Sequence, residues 1–341
     1  MGSYDLIIAG ASFAGLSVAH YFRGKTLIID RKEPGTVQTS ACGTLYYIIE
    51  KLGLEDSLLQ VHPVLYLHNS RCVFEFKINY PFCTFDYGRF CRGFAKKVDA
   101  EIRVERIKGF DGKRIITDRG EYFAKLFVDA SGCERVLASF INPQIKNRDG
   151  LSFGIETVVP HKEEGLHFWY DRKLLPNGYC WMFPCGDFSR AGVGSYLGRV
   201  KLRETLNDFL SLYGYEINSV HGGYFPQKLV RPTLDGLFLV GDSAGQCLPL
   251  TGEGIRPAIF FAKRLAMLLQ EVKEGNKSVG AASTEYEEFV NRRRKFFRKL
   301  YIAQTVFSRT PQFVFYSFTS MMREGNRLDY LWDRYLSASH I

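Results

Sequence analysis

The sequence predicts an α/β fold in which a parallel-sheet domain is interrupted by an antiparallel sheet. Two observations lead there. Continuously apolar runs of the buried, parallel type stand at residues 4–9 (YDLIIA), 25–30 (KTLIID), 126–130 (LFVDA) and 237–240 (LFLV), while alternating, aromatic-rich segments fill 150–228. The first two runs flank a helix-spaced stretch at 14–22, a βαβ unit that requires a parallel sheet with a helical crossover. The order divides the chain into a discontinuous parallel domain (1–61, 84–149, 229–283), an inserted sheet (62–83, 150–228) and a C-terminal helical segment (284–341).

In chain order, the first strand ends at Gly10, the helix follows, and the second strand ends at Asp30. Residues 64–68 and 72–79 read as strands joined by a turn at Asn69-Ser70, residues 90–98 as a helix, and 101–107 and 114–117 as strands. The strand at 126–130 stops at Ser131-Gly132. Residues 151–159, 167–170, 179–183 and 191–197 alternate like half-buried antiparallel strands, and a helix is expected over 202–213. After 237–240 come Gly241-Asp242, a helix over 255–272, and a helical tail from Thr284 broken at Pro311. No internal repeat is evident.

With 341 residues, 46% hydrophobic and 24% charged, the chain buries a sizeable core, which excludes intrinsic disorder as its main state. The net charge of +9 suits an anionic partner: nucleic acid, phospholipid or an acidic protein. The densest basic run, Arg292, Arg293, Arg294, Lys295, Arg298 and Lys299 around Phe296 and Phe297, is either a solvated helix face or part of such a contact. The run lacks base-reading context, so no nucleic acid is expected. Aromatics reach 15%, with 28 Phe and 19 Tyr, which fills a core or lines a cavity for a long apolar ligand. The N-terminus runs straight into a strand, and no stretch approaches the roughly 18 apolar residues of a membrane span. A cytoplasmic protein, free or membrane-associated, is expected. Eight cysteines, at 42, 72, 83, 91, 133, 180, 185 and 247, form no CxxC pair and no zinc spacing, so no metal is expected; disulfides stay open.

Gly10-Ala11-Ser12-Phe13-Ala14-Gly15 is a GxGxxG-type loop with Ser12 at the middle glycine. Gly10 permits the tight turn, Gly15 close helix–strand packing, and the small Ser12 the approach of a pyrophosphate to helix N–H groups. Asp30, twenty positions after Gly10, is placed to accept from ribose hydroxyls, with Arg31 beside it. A second signature, Gly236 to Gly245 (GLFLVGDSAG), lies far downstream, and Gly252-Glu253-Gly254-Ile255 opens a helix after it. GDxxG is similar to the signature of glutathione-reductase-like flavoproteins, in which the Asp (here Asp242, after Gly241) binds ribityl hydroxyls of FAD. That likeness implies FAD, with the helix opened by Gly252, Gly254 and Ile255 facing its ring. Asp129-Ala130-Ser131-Gly132 resembles the superfamily's strand-end turn. Gly192-Val193-Gly194-Ser195 sits in antiparallel texture, so no built-in nicotinamide domain is expected and an external electron donor is.

Three further segments resemble the geranylgeranyl reductase family, flavoproteins similar in fold to p-hydroxybenzoate hydroxylase: Ala41-Cys42-Gly43, Pro176 to Pro184 (PNGYCWMFP, fitting PxxYxWxFP) and Pro249 to Ile255 (PLTGEGI). The resemblance spans most of residues 4–272. It implies an FAD-dependent oxidoreductase reducing isoprenoid C=C bonds of archaeal-type membrane-lipid precursors. It further implies a prenyl lipid or prenyl diphosphate substrate, a ferredoxin-like or reduced nicotinamide donor, and peripheral membrane contact. Cys42 and Gly43 would lie along the flavin, with Cys42 either delivering a proton or packing against it. Tyr179, Trp181 and Phe183 alternate, which puts them on one strand face, a sheet core or an aromatic wall for an apolar alkene. Flavin halogenases carry a related Trp-rich segment, so a flavin-dependent monooxygenase or halogenase is the alternative. The chain departs from the family pattern at Asp86-Tyr87-Gly88-Arg89-Phe90, where Tyr87 occupies the usual Arg position and Arg89 is left to reach FAD. Phe313, Phe315, Tyr316, Phe318, Met321 and Met322 read as a domain-closing helix or a membrane-touching surface.

Overall fold

The computed structural model describes residues 3–69, 72–198, 201–310, 317 and 332–336. Strand β1 (Tyr4–Ala9), helix α1 (Phe13–Tyr21) and β2 (Thr26–Asp30) make the N-terminal βαβ unit, followed by β3 (Gly43–Leu45) and α2 (Tyr46–Leu52). A long hairpin of β4 (Leu58–His68) and β5 (Val73–Phe85) leads to α3 (Tyr87–Ala95), β6 (Glu101–Val104), and the meander β7 (Ile107–Phe110), β8 (Arg114–Thr117) and β9 (Glu121–Asp129). After α4 (Ala138–Ile141) come β10 (Leu151–Val159), β11 (Leu166–Trp169), β12 (Gly178–Pro184), β13 (Ser189–Ser195), α5 (Leu202–Ser211) and β14 (His221–Pro226). The chain then forms β15 (Thr233–Leu234), β16 (Leu237–Leu239), α6 (Ile255–Lys273) and α7 (Val279–Arg309).

The first sheet runs β15-β16-β9-β1-β2-β6, with β8 paired to β9 and β7 to β8. Its central strands are parallel and buried on both faces. Alternate residues of β1 supply two cores: Leu6 and Ile8 pack with α1 and α6, Ile7 with Leu27, Phe127, Leu237 and the meander residues Phe110 and Ile115. That double burial explains the continuous apolar runs.

The second sheet runs β14-β10-β13-β12-β11-β4-β5-β3. It is antiparallel as expected except for one parallel pairing, β4 with β11. One face packs under α5 through Ile155, Cys180, Met182, Val193, Leu206 and Phe209. The other carries Tyr179, Trp181, Phe183 and Tyr196. The architecture is therefore the predicted one, a parallel domain interrupted by a second sheet.

Several boundaries moved, each for a local reason. Each hairpin strand is longer at the end away from the turn, because pairing of β4 with β5 and of β5 with β3 satisfies backbone groups that sequence texture leaves as loop. The single strand expected over 101–107 breaks at Glu105. This buried carboxylate takes hydrogen bonds from Thr117 Oγ1 at 2.6 Å and Tyr122 Oη at 2.9 Å. Helix α3 starts at Tyr87, because Asp86 Oδ1 accepts from Arg89 N at 2.6 Å as an N-cap. Likewise Ser278 caps α7, which begins before Thr284. Strands β3 and β14 and helix α2 were not anticipated. Ser70, Pro311 and the aromatic stretch from Phe313 to Met322 lie outside the described residues. All eight cysteines are free thiols. Among the described residues there is no cluster able to hold a metal ion, and no helix long and apolar enough to cross a membrane.

Candidate functional site

The glycine loop between β1 and α1 is tight for steric reasons. Gly10 has φ +110°, and a Cβ there would lie 2.4 Å from the Ala130 carbonyl oxygen; one on Gly15 would lie 1.9 Å from the Gly10 oxygen. No side chain fits either place. Ser12 caps α1 by backbone position only, and its Oγ lies 3.3 Å from the Tyr87 hydroxyl. Asp30, at the end of β2, receives Ala11 N–H at 2.8 Å and Lys32 N–H at 3.2 Å, so it braces the loop. Arg31 is exposed, as is the side chain of Arg89. Tyr87, the residue in the family's Arg position, is the one that reaches the glycine loop.

The strand-end turn after β9 is a knot. Buried Asp129 accepts from Ser131 N (3.1 Å), Ser131 Oγ (2.5 Å), Ala138 N (3.0 Å) and Ser243 Oγ (3.2 Å), tying the turn containing Ala130 and Gly132 to the Gly241–Ala244 turn. Arg135 Nε adds a bond to the Ser243 carbonyl at 2.9 Å. The sequence marked this turn for the cofactor. Its buried Asp and Arg hold the two turns together, a role legible only once β9 and β16 are neighbours. Gly241 (φ +66°) lies close to Ala14 of α1: a Cβ on it would sit 2.8 Å from the Ala14 Cβ. Asp242 faces Gly254 at the start of α6, and among the described residues its carboxyl takes no hydrogen bond. Burial raises that carboxyl to about 6, against the pull of Arg135.

Cys42 is fully buried in left-handed backbone (φ +55°), its Sγ 3.3 Å from the Ser40 carbonyl. Burial pushes its thiol well above the ordinary range, with Arg190 pulling the other way. Gly43 lies against the Phe183 ring, 3.3 Å from where a Cβ would stand.

The aromatic face of the second sheet is hydrogen-bonded onto the loop before α6. Tyr196 and Tyr170 hydroxyls donate to the Leu250 carbonyl at 2.9 and 3.3 Å, and Tyr179 to the Thr251 carbonyl at 3.0 Å. Leu250 and Gly252 have positive φ (+74° and +67°). A Cβ on Gly252 would meet the Tyr179 hydroxyl at 2.7 Å. Beyond it, Glu253 and Arg256 form a buried two-point ion pair at 2.7 Å, and Tyr335 Oη donates to Glu253 at 2.6 Å. Trp181 stands between Tyr179 and Phe183, ring centroids 5.8 and 6.2 Å apart, and Phe168 closes on Phe183 at 5.2 Å. The structure thus brings together Gly10, Ser12, Ala14, Gly15, Asp30, Ala130, Gly132, Gly241, Asp242, Gly252, Gly254 and Ile255 at the helix ends, and sets Gly43, next to Cys42, against Phe183. Glu156, Arg190 and the tyrosines Tyr170 and Tyr196 were missed.

No family model matches the chain. Sequence relatives include digeranylgeranylglycerophospholipid reductase 2 of Methanothermobacter thermautotrophicus, 34% identical over 131 residues, covering 36% of this chain and 34% of the relative. Another, digeranylgeranylglycerophospholipid reductase 2 of Methanopyrus kandleri, is 25% identical over 331 residues, 84% of this chain and 81% of the relative. The chain is thus similar to these reductases at 34% identity over about a third of its length and at 25% identity over most of it. The matched segments of the first relatives span only about a third of their length, 34% for each of the first three. In fold, the chain is similar to a geranylgeranyl bacteriochlorophyll reductase-like protein from Thermoplasma acidophilum, with TM-score 0.85, 19% identity and coverage of 95% of this chain and 92% of that one. It is also similar to the flavin-dependent brominase Bmp2, with TM-score 0.73, 16% identity and coverage of 97% and 92%.

Proposed function

We propose that the protein is an FAD-dependent reductase that saturates C=C bonds of isoprenoid chains in archaeal-type membrane-lipid precursors. The observation that carries this reading is the aromatic face of Tyr179, Trp181 and Phe183, hydrogen-bonded onto the loop that opens α6. It offers apolar contact area beside the helix ends that would hold a cofactor.

FAD fits the residues present. The loop holding Gly10, Ser12, Ala14 and Gly15 is drawn too tightly onto its own backbone for any Cβ at Gly10 or Gly15, as a turn at a helix N-terminus requires, and Asp242 offers an unpartnered carboxylate. In this reading the pyrophosphate sits at the N-terminus of α1, and Asp30 and Arg31 serve the adenosine ribose. Arg89 reaches the FAD, Cys42 and Gly43 lie along the flavin, and Ala130, Gly132 and Gly241 line its path. Asp242 binds the ribityl chain, and Gly252, Gly254 and Ile255 face the flavin ring. The proposed domains follow: 1–61, 84–149 and 229–283 for the cofactor, 62–83 and 150–228 for the substrate. Bound flavin supplies the hydride. The chain's own residues orient an unpolarised alkene, exclude water through the closed aromatic face, and supply a proton, for which buried, protonated Cys42 is the proposed donor. Electrons come from an external donor, ferredoxin-like or reduced nicotinamide.

Wild-type protein loaded with FAD and reduced by dithionite without oxygen is expected to add two mass units per bond to a prenyl-glycerol phosphate or prenyl diphosphate. An oxygen-dependent hydroxylated or halogenated product, with the alkene intact, would overturn the reading in favour of the brominase-like alternative.

A further inference from the structure

One row across the second sheet is arranged unlike its neighbours. Trp181 of β12 is opposite Gly192 of β13, which is opposite Glu156 of β10, which is opposite His221 of β14. The glycine is required: a Cβ at Gly192 would lie 2.1 Å from Cζ2 of Trp181. With Gly194 and Gly154 at 3.3 and 3.4 Å by the same measure, the indole lies flat on a paved patch and reaches Glu156. Trp181 Nε1 donates to Glu156 Oε2 at 2.9 Å, while His221 Nε2 meets Oε1 at 2.9 Å from the opposite side.

Glu156 is 2% exposed, on the aromatic side of the sheet. Its remaining partners lead to the Cys42 turn. Gln38 Nε2 bridges Glu156 Oε1 (3.4 Å) and the Ser40 carbonyl (2.8 Å), and Cys42 Sγ rests on that same carbonyl. The buried Arg190 guanidinium is 3.9 Å from Glu156 and donates to the carbonyls of Phe85 (3.0 Å) and Ala41 (3.4 Å). Phe85 N in turn donates to the Cys42 carbonyl at 3.1 Å. A buried carboxylate this costly to desolvate stays only if its partners are kept in place.

We propose that Glu156 is a positioning residue of the substrate site, a single carboxylate that fixes the Trp181 indole and the left-handed Cys42 turn relative to each other. It rests on the functional reading above for what the two groups do, not for the geometry. Arg190, Gln38 and His221 hold the carboxylate; Gly192 gives the indole access to it. Small shifts of either end would separate the alkene-binding face from the thiol.

The test uses FAD-loaded protein in a Trp169→Phe, Trp332→Phe background, where Trp181 is the remaining tryptophan, and needs no turnover. In Glu156→Ala, Trp181 emission shifts and Cys42 alkylation, read by peptide mass mapping, speeds about tenfold, as expected when a coupled buried network loses its centre. In Glu156→Gln the indole keeps an acceptor, so emission holds while Cys42 alkylation still speeds, because the charge that holds Arg190 is gone. Unchanged emission and unchanged Cys42 labelling in Glu156→Ala overturn the proposal, even if the melting temperature falls. Should Glu156→Ala not fold, an unchanged Cys42 rate in Glu156→Gln overturns it alone. Failure of the wild type to saturate any prenyl substrate would sink the functional reading and leave these two readouts standing.

Discussion

Asp242 carries a carboxyl raised to about 6 by burial, in a position where a ribityl hydroxyl would need an ionised acceptor. FAD affinity measured by fluorescence quenching is therefore expected to weaken as pH falls through about 6 and to hold above it. Asp242→Asn should flatten that dependence and weaken binding by about 1–3 kcal/mol, the range for losing a charged hydrogen-bond acceptor. The sign is opposite for the cofactor-free fold: a raised carboxyl stabilises the folded state at low pH and loses that contribution as pH rises towards 6. Apo protein gains stability on acidification from this group just where holo protein loses cofactor. Cys42 makes a different prediction. Burial raises its thiol, so it stays protonated at neutral pH, and Cys42→Ser should lower the rate of alkene reduction while FAD affinity is unchanged. Equal turnover by Cys42→Ser and wild type would leave packing as its role.

At the scale of elements, Gly192 does what no other residue type could, since its Cβ would lie 2.1 Å from the indole, while Gly194 and Gly154 would bring one to 3.3 and 3.4 Å. Gly192→Ala is expected to cost about 1–3 kcal/mol by overpacking, read as a lowered melting temperature, and to raise KM for a prenyl substrate. The glycine loop, the GDSAG turn and the central strands were legible because their signals are local: a run of apolar residues ending in a glycine with a required conformation. The Glu156 row was not, because its four members come from four strands and only register joins them. Strand β14 escaped notice for a related reason, as Gly222 and Gly223 remove the alternation that marks a strand. At α3 the sequence shows the departure from the family's Arg position, but not that the cap formed by Asp86 starts the helix so that Tyr87 meets the glycine loop.

The whole molecule carries +9, and part of that excess is presented on one exposed stripe of α7. Lys295, Arg298 and Lys299 flank Ile302 and Val306, each of which is 50% exposed. Elsewhere in the basic run the charges are occupied: Arg293 stacks on Phe289 and Phe260 at 4.0 and 4.6 Å, and Arg294 donates to the Leu229 carbonyl. A stripe of cations with protruding aliphatics suits a lipid surface of opposite charge, each basic residue contributing about 1 kcal/mol. The protein is expected to co-sediment with anionic phosphatidylglycerol vesicles at low ionic strength and to be released by high salt. Equal binding to neutral phosphatidylcholine vesicles would show that charge is not what draws it there.

The single parallel pairing of β4 with β11 has a consequence for how the chain comes off the ribosome. The hairpin of β4 and β5 is synthesised early, yet β4 waits for its neighbour until Leu166–Trp169 has emerged, and the first sheet waits for β16 at Leu237–Leu239. An unpaired strand edge is left open for about a hundred residues of synthesis, during which it is a template for wrong partners. Both halves then close within a short stretch of the message, so neither is finished long before the other. A protein wired this way should depend on chaperones while nascent and, once complete, unfold as one unit.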